Sequence, residues 1–294
     1  MVSDKGPGTG DSAWDTRKIP SLLAGKAVEF IHRSAGENPF LLVYWSPTVH
    51  LPHMPPGTLD GKPIRETTPS RHLDMIRVLD WEVSRIVAAL RETGEWGNTL
   101  FIFTSDNGGL TDGEAAKVGH YPGGGFRGSK NLPWEGGHRV PLIVTWPGVV
   151  KPGTRSDALV NGTDLVATIA ELVGTRLTTQ QAMDSWSFLP LLRGDDHFKP
   201  RQELLLQAGS RNELMFRQGP WKLIMQSDHK LTRFDPIALF NLDENPAEDE
   251  ARNLIHDPAH AERVRAMRAR YLAIRNSGER TAPLPHQRPG AVHP

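Results

Sequence analysis

Asp106 and Asn107 stand side by side, directly after the apolar run Leu100-Phe-Ile-Phe-Thr104 and directly before Gly108 and Gly109. A carboxylate and an amide there offer two hard oxygen donors, the type that binds Ca²⁺ or Mg²⁺. In open α/β sheets the ligand site lies just beyond the carboxyl ends of the strands. The competing reading is a plain turn, which Asn-Gly also favours. His50, with His53 three residues on, follows a second apolar run and offers a hydrogen-bond donor or general acid. A loop histidine is equally a simple surface group. Lys130 lies near several glycines and offers a fixed positive charge, or is merely solvated. A cation, a histidine and a lysine converging on one crevice would suit a tetrahedral oxyanion such as sulfate or phosphate. Glu135-Gly-Gly137 and Arg139 read as structural, with glycines for a tight turn and an ion pair as one option.

These groups need elements to hold them. Residues 40–45 (Phe-Leu-Leu-Val-Tyr-Trp) and 100–104 are short apolar runs that suit strands buried on both faces. Residues 20–33 carry apolar side chains at helical spacing behind Pro20. Residues 71–93 form a longer amphipathic helix with Leu73, Ile76, Leu79, Val83, Ile86, Val87 and Leu90 in one stripe. Helix, strand, helix, strand in this order predicts an α/β fold with a mostly parallel sheet flanked by helices. A further strand is expected at 142–146 and short helices at 164–173 and 189–192. Beyond that the pattern changes. Pieces at 203–208, 213–217, 221–226 and 238–242, separated by turn residues, predict a small antiparallel sheet. An Arg-rich helix follows at 259–275 with Val264, Met267, Tyr271 and Ile274 inward. The expected organisation is a lead-in at 1–14, a partial α/β domain at 15–195, a C-terminal α+β subdomain at 196–278, and a Pro-rich tail at 279–294. Both ends read as disordered.

Composition narrows the classes. The 294 residues are 38% hydrophobic and 23% charged, with 34 basic and 34 acidic side chains. Nothing in that balance points to nucleic acid or a membrane surface. No apolar run reaches the roughly 18 residues that a membrane helix needs. No signal-peptide core is present in the first residues, and compartment stays open. Cysteine is absent, which excludes disulfides and Cys-ligated zinc.

The order of the motifs resembles the sulfatase family, within the alkaline-phosphatase-like superfamily. Four pieces carry the likeness: the run ending in His50-Leu-Pro; Leu79-Asp80 followed by Asn98-Thr-Leu-Phe-Ile-Phe-Thr-Ser-Asp-Asn-Gly108; Gly128-Ser-Lys-Asn-Leu-Pro-Trp-Glu-Gly-Gly-His-Arg-Val-Pro141; and Gly219-Pro-Trp-Lys-Leu-Ile224 with Ala238-Leu-Phe-Asn-Leu-Asp-Glu-Asn-Pro-Ala-Glu248. It runs from about Pro20 to about Tyr271, with Phe240 where the family pattern has Tyr. By this resemblance Asp106 and Asn107 are two of the metal ligands, usually for Ca²⁺, with Mg²⁺ an alternative. Lys130 contacts the sulfate, and His50 contacts it or assists the leaving alcohol oxygen. His53 has no counterpart in the pattern. The substrate class is a small-molecule or glycan sulfate ester. The rivals are a phosphoester or phosphonate hydrolase of the same superfamily, and a non-catalytic remnant that binds an anion or a partner. Family members are often exported.

The departures matter as much. The family carries an Asp-Asp pair on a first strand, and a Cys-or-Ser-x-Pro-x-Arg motif whose first residue becomes the formylglycine nucleophile. Neither is in this sequence, nor are the Lys and His that the pattern places before His50. Thr67-Thr-Pro-Ser-Arg71 imitates the nucleophile motif, with Thr at the critical position. It reads better as the N-cap of the long helix, through Thr68 or Ser70, with Pro69 in the first turn. The chain thus reads as the C-terminal two-thirds of a sulfatase, whose partner is the missing N-terminal section of the same fold. Two oxygen ligands do not satisfy Ca²⁺, which takes six to eight, and covalent catalysis lacks its nucleophile. Exposed sheet edge and core face would also favour aggregation. The purified 294-residue chain is therefore expected to turn over no nitrophenyl sulfate. Measurable turnover would overturn that expectation.

Overall fold

The computed structural model describes residues 15–209 and 212–284. They divide into two compact units. One holds the described residues up to Leu100 together with Thr111–Tyr121; the other holds Phe101–Leu110 and the described residues from Pro122 onward. The division therefore falls around residue 100, not at 195/196 as the change of sequence pattern suggests. The expected lead-in at 1–14 and residues 285–294 of the expected tail lie outside the described residues. Residues 280–284 are ordered, against expectation: Arg280 donates to the carbonyls of Thr178 and Gln181, and Ala282 is buried.

The first unit is built on two helices, α1 (Ile19–Ser34) and α2 (Arg71–Glu92). Ser70 caps α2, its hydroxyl accepting from the Leu73 amide. Thr68 instead donates to Asp74, so the Thr67–Arg71 stretch is spent on starting a helix. A two-stranded hairpin of β1 (Thr58–Leu59) and β2 (Lys62–Pro63) lies against α2, with Leu59 and Ile64 packing on Met75 and Val78. The last element is the short helix α3 (Gly113–Lys117). The buried stripe of α2 differs from the expected one. It runs through Met75, Val78, Glu82, Ile86 and Ala89, and Ile76 is left exposed. The cause is Glu82, a fully buried carboxylate that accepts from the Ser46 and Thr48 hydroxyls. Burial raises its pKa, and those two donors oppose the rise. The Tyr44 hydroxyl is buried near the same carboxylate without meeting hydrogen-bond geometry.

The second unit holds β3 (Phe101–Thr104) and β4 (Leu142–Thr145), a two-stranded antiparallel sheet with Phe101 opposite Thr145. The one-turn helix α4 (Glu135–His138) precedes β4, and the short helices α5 (Asp164–Leu172) and α6 (Leu189–Leu192) follow it. Then come β5 (Glu203–Gln207), β6 (Glu213–Gln218), β7 (Trp221–Ser227) and β8 (Phe234–Asn241), an antiparallel sheet in sequence order. The helix α7 (Ala261–Ser277) covers one face, burying Met267 and Tyr271 against Leu214, Phe216, Leu223 and Met225. The other face gathers Leu204, Met215, Ile224, Ala238 and Phe240, with Trp134 packed on them. Both faces are covered, so the strands are nearly continuous in apolar residues.

The mostly parallel sheet is not seen. Every strand pair among the described residues is antiparallel. Residues 40–45, expected as a buried strand, belong to no ladder among them. Their outward positions, Leu41, Val43 and Trp45, are 62%, 55% and 76% exposed, where burial on both faces was expected. A strand without a neighbour has nothing to cover its second face. No helix among the described residues is long and apolar enough to cross a membrane.

On the Ile224 face of β7 sits Lys222, a fully buried ammonium. It lies 2.9 Å from Glu135 and 2.8 Å from Glu248, both also buried. Glu248 returns a second bond, accepting from the Glu135 amide at 2.6 Å. Lys222→Ala leaves two carboxylates in the interior without a cation and is expected to cost about 3–5 kcal/mol. Chemical denaturation measures this; a loss below about 1 kcal/mol would show that the three charges are not what joins α4 to the sheet.

Candidate functional site

The second unit brings three of the four expected site residues onto neighbouring loops. β3 delivers Ser105, Asp106 and Asn107, and the chain then meets the turn around α4. The Gly108 amide donates to the Gly137 carbonyl at 2.9 Å. A Cβ on Gly108 would lie 1.9 Å from the Gly136 carbonyl oxygen. A Cβ on Gly136 would meet the carbonyls of Gly128, Arg127 and Phe126 within 2.9 Å. The glycines of Glu-Gly-Gly are therefore required by backbone-to-backbone contact. Neither Gly136 nor Gly137 has positive φ, so the tight-turn reading gives the wrong reason for them. The Lys130 amide also reaches the Gly109 carbonyl, at 3.4 Å. The loop that starts at Asp106 and the loop that carries Lys130 are thus fastened through their main chains.

The side chains are left available. Asp106 is exposed, and among the described residues its side chain has one bond, a long contact from the Ser105 hydroxyl at 3.4 Å. Asn107 turns its amide nitrogen to the Gly108 carbonyl, at 3.1 Å, which leaves the amide oxygen as a donor to a cation. Lys130 is half-buried, and its ammonium has no hydrogen bond or ion pair among the described residues. Beside Asp106 and Asn107 opens a cavity of about 250 Å³, lined also by Asn131, His138 and Gln207. His138 and Gln207 were not singled out from the sequence.

The donors of Asp106 and Asn107 suit a hard cation in type and fall short in number, since Ca²⁺ takes six to eight oxygens. No group of three or more His, Cys, Asp or Glu among the described residues is arranged to hold a metal ion. The second acidic group near the turn, Glu135, serves structure. Burial works to raise its pKa, but Lys222 first and then His138 outweigh burial and hold it low. Arg139 adds a longer pairing at 3.3 Å from a half-exposed position. His138 accepts from the Lys222 ammonium at 3.1 Å. Burial first, and the Lys222 charge second, push its pKa down to about 4, so it is neutral at pH 7.

His50 belongs to the first unit. It is exposed, and Nδ1 lies 2.7 Å from the Leu51 carbonyl. The Pro-rich loop that carries it begins at Ser46 and Thr48, the two hydroxyls held by Glu82. His53 does not join His50 in a pair. It turns to His72 on α2, 3.4 Å away, and to Asp112 at 3.7 Å. Glu82, His72 and Asp112 escape sequence reading because each sits at a position that looks like an ordinary helix or cap residue.

Known proteins share this arrangement of motifs. The profile of the Sulfatase family matches residues 16–175, and that of the N-sulphoglucosamine sulphohydrolase C-terminal family matches residues 129–277. An N-acetylgalactosamine-6-O-sulfatase of Bacteroides thetaiotaomicron is 35% identical over 221 residues, covering 73% of this chain and 42% of that protein. The steryl-sulfatase of Rattus norvegicus is 28% identical over 283 residues, covering 87% of this chain and 48% of that protein. A solved structure from work on glycosaminoglycan metabolism by Bacteroides thetaiotaomicron superposes with a TM-score of 0.77 at 31% identity, over 89% of this chain and 55% of the other. A sulfatase structure from Pseudoalteromonas sp. gives 0.69 at 25% identity, over 91% and 55%. The chain spans about half the length of these relatives.

Two outcomes are expected from this geometry. Gly108→Ala pushes the loop of Asp106 off the Glu-Gly-Gly turn, because the opposing atom is a backbone oxygen with no rotamer to change. Spectra of the two-glycine contact should shift and stability should fall by roughly 2 kcal/mol or more; a variant as stable as the parent refutes the contact. The second concerns pH. The folded chain keeps His138 neutral down to about 4, while the unfolded chain protonates it near 6.5. Its contribution is whole above about pH 6.5 and is lost as pH falls from there to about 4. Denaturation midpoints of wild type should drop across that window, and His138→Gln should flatten part of the drop.

Proposed function

The chain belongs to the sulfatase family, and on that premise we propose that it supplies metal-binding and sulfate-binding loops to an enzyme that hydrolyses sulfate esters to an alcohol and sulfate. One observation carries this reading. Asp106 and Lys130, opposite charges without ion-pair partners among the described residues, stand on loops that are bonded to each other through Gly108 and Gly109. Charges left free on a rigid frame are what an ionic ligand needs.

The roles follow from the chemistry of each group. The Asp106 carboxylate and the Asn107 amide oxygen would hold Ca²⁺, or Mg²⁺ in its place, together with donors from outside the described residues. Such a cation supplies charge to a sulfate oxygen when bound. Lys130 would hold a second sulfate oxygen with its ammonium. His50, exposed on its loop, would contact the sulfate or give a proton to the leaving alcohol oxygen. The formylglycine nucleophile expected of the family has no counterpart in these 294 residues, so the bond-breaking step requires a group supplied from elsewhere, the N-terminal section of the same fold. The mostly parallel sheet is proposed for that whole assembly. The extended residues 40–45, apolar on their uncovered side, support it. A glycan sulfate ester is the substrate class favoured, on the strength of the relative named for an N-acetylgalactosamine 6-O-sulfate.

The test uses the native protein from its source, with its intact mass measured and the coding DNA read upstream of the Met1 codon. The expected protein is longer, carries Cys-or-Ser-x-Pro-x-Arg, and hydrolyses 4-nitrophenyl sulfate in preference to the phosphate. Lys130→Ala should lower kcat/KM on the order of 100-fold. Preference for the phosphate would favour the phosphoester reading. A native protein that begins at Met1, and binds sulfate without turnover, would favour the non-catalytic one.

A further inference from the structure

The first unit contains a second cluster of titratable groups that the proposed chemistry does not use. His53 comes from the loop that carries His50, His72 from the first turn of α2, Asp112 from the N-cap of α3, and His120 from the turn after α3. The rings of His53 and His72 are 4.9 Å apart between centroids, and those of His72 and His120 are 5.5 Å apart. His72 is buried, and the His53 side chain is only 12% exposed. Three chain segments therefore meet through imidazoles.

The hydrogen bonds restrict how many protons the cluster can hold. His53 Nδ1 faces Asp112 Oδ2 at 3.7 Å. Its Nε2 faces the Val49 carbonyl at 3.3 Å and His72 Nδ1 at 3.4 Å. Two of these three neighbours are oxygen acceptors, and the third becomes one when His72 Nδ1 carries no proton. An N–H at His53 Nε2 then has only acceptors before it. A proton added to His72 Nδ1 would aim one N–H at another. His120 Nε2 is buried without a hydrogen-bond partner among the described residues. Asp112 is already engaged, since it accepts from the Ala115 amide at 2.8 Å, and that bond leads His72 and His53 in keeping it ionised.

We propose that His53, His72, His120 and Asp112 form a proton-operated latch, closed while the buried His72 ring is neutral and opened when acid protonates it. The groups that face His72 are His53, His120 and Asp112; the first two repel a proton there and only Asp112 attracts one. Burial, ahead of those charges, lowers the His72 pKa. The closed state therefore binds fewer protons than the open one below about pH 6.5, and closure weakens as pH falls through that value. Opening would detach α3 and its turn from α2 and free the loop of His50. The consequence for catalysis rests on the sulfatase reading of His50; the latch itself does not, because it is read from backbone protection.

Hydrogen exchange on the native protein at pH 7.5 and 5.5, corrected for intrinsic rates, tests it. The amides of Ala116, Val118, Gly119 and His120 bond within the α3 segment and report its closure. Their protection is expected to fall about tenfold at pH 5.5, taking about one unit below the ordinary histidine value as the scale. Strands β5 to β8 carry a drop of their own through His138, which His72→Gln should leave unchanged. In His72→Gln, whose amide oxygen still accepts from His53 but does not titrate, most of the drop in the α3 segment should vanish. His120→Gln serves if that variant does not fold. Equal protection at the two pH values, or the full drop persisting in the folded variant, would overturn the latch while leaving the assignment of Asp106, Asn107 and Lys130 untouched.

Discussion

The second unit depends on a buried ammonium. Lys222 has no exposure, and it sits between Glu135 and Glu248, which have almost none. An isolated charge in that position would be expelled or neutralised. Here each of the three charges is tolerable because the other two are within 3 Å or bonded through the main chain. Lys222 belongs to a central strand, Glu135 to the first turn of α4, and Glu248 to the segment after β8. Removing Lys222 strands both carboxylates, so the three parts of the chain are held as a set. The net charge of this triad is negative. Direct donors ease that surplus: the Glu135 amide for Glu248, and Arg139 for Glu135.

The anchoring also explains which acidic groups can act on a ligand. Glu135 stands five residues from Lys130 and looks on paper like a partner for it. In the folded chain Glu135 is turned into the interior and satisfied there, and Lys130 is left without a carboxylate among the described residues. Asp106 is likewise left without a cation. The site proposed for an ionic ligand rests on giving the competing charges other employment.

Much of this could be read from residue order. The helices at 19–34, 71–92 and 261–277 and the four-stranded sheet lie within a few residues of where periodicity and turn residues put them, because each has a strong apolar rhythm. β8 is the exception. It begins at Phe234, before the expected 238, since Pro236 looks like a strand breaker, and the irregularity opposite Ile224 and Met225 accommodates it. The antiparallel direction of the C-terminal sheet was legible from its short strands and turn residues, but that of β3 and β4 was not, because their pairing is decided by parts of the chain far apart in sequence. Nor was the orientation of α2. A stripe drawn from apolar residues alone puts Glu82 outside, and only the hydroxyls of Ser46 and Thr48, some 35 residues earlier, make its burial tolerable. The site followed the same pattern. Asp106, Asn107 and Lys130 stood out because glycines and a strand end framed them. His72 and Asp112 did not, since their partners arrive from three separate segments.

The contact between Gly108 and Gly136 has a consequence for how such a protein can change over time. Both sides of the contact are main chain, so the distance between the Asp106 loop and the Glu-Gly-Gly turn is written in peptide geometry. An added side chain at those positions breaks the contact outright and does not adjust it by degrees. Mutation can alter which groups look into the cavity, through positions such as Asn131 and Gln207, but it cannot shift the loop that bears the oxygen donors by small steps. Diversification of ligand choice would thereby be channelled toward the cavity wall, while the proposed ionic centre would be inherited whole or lost.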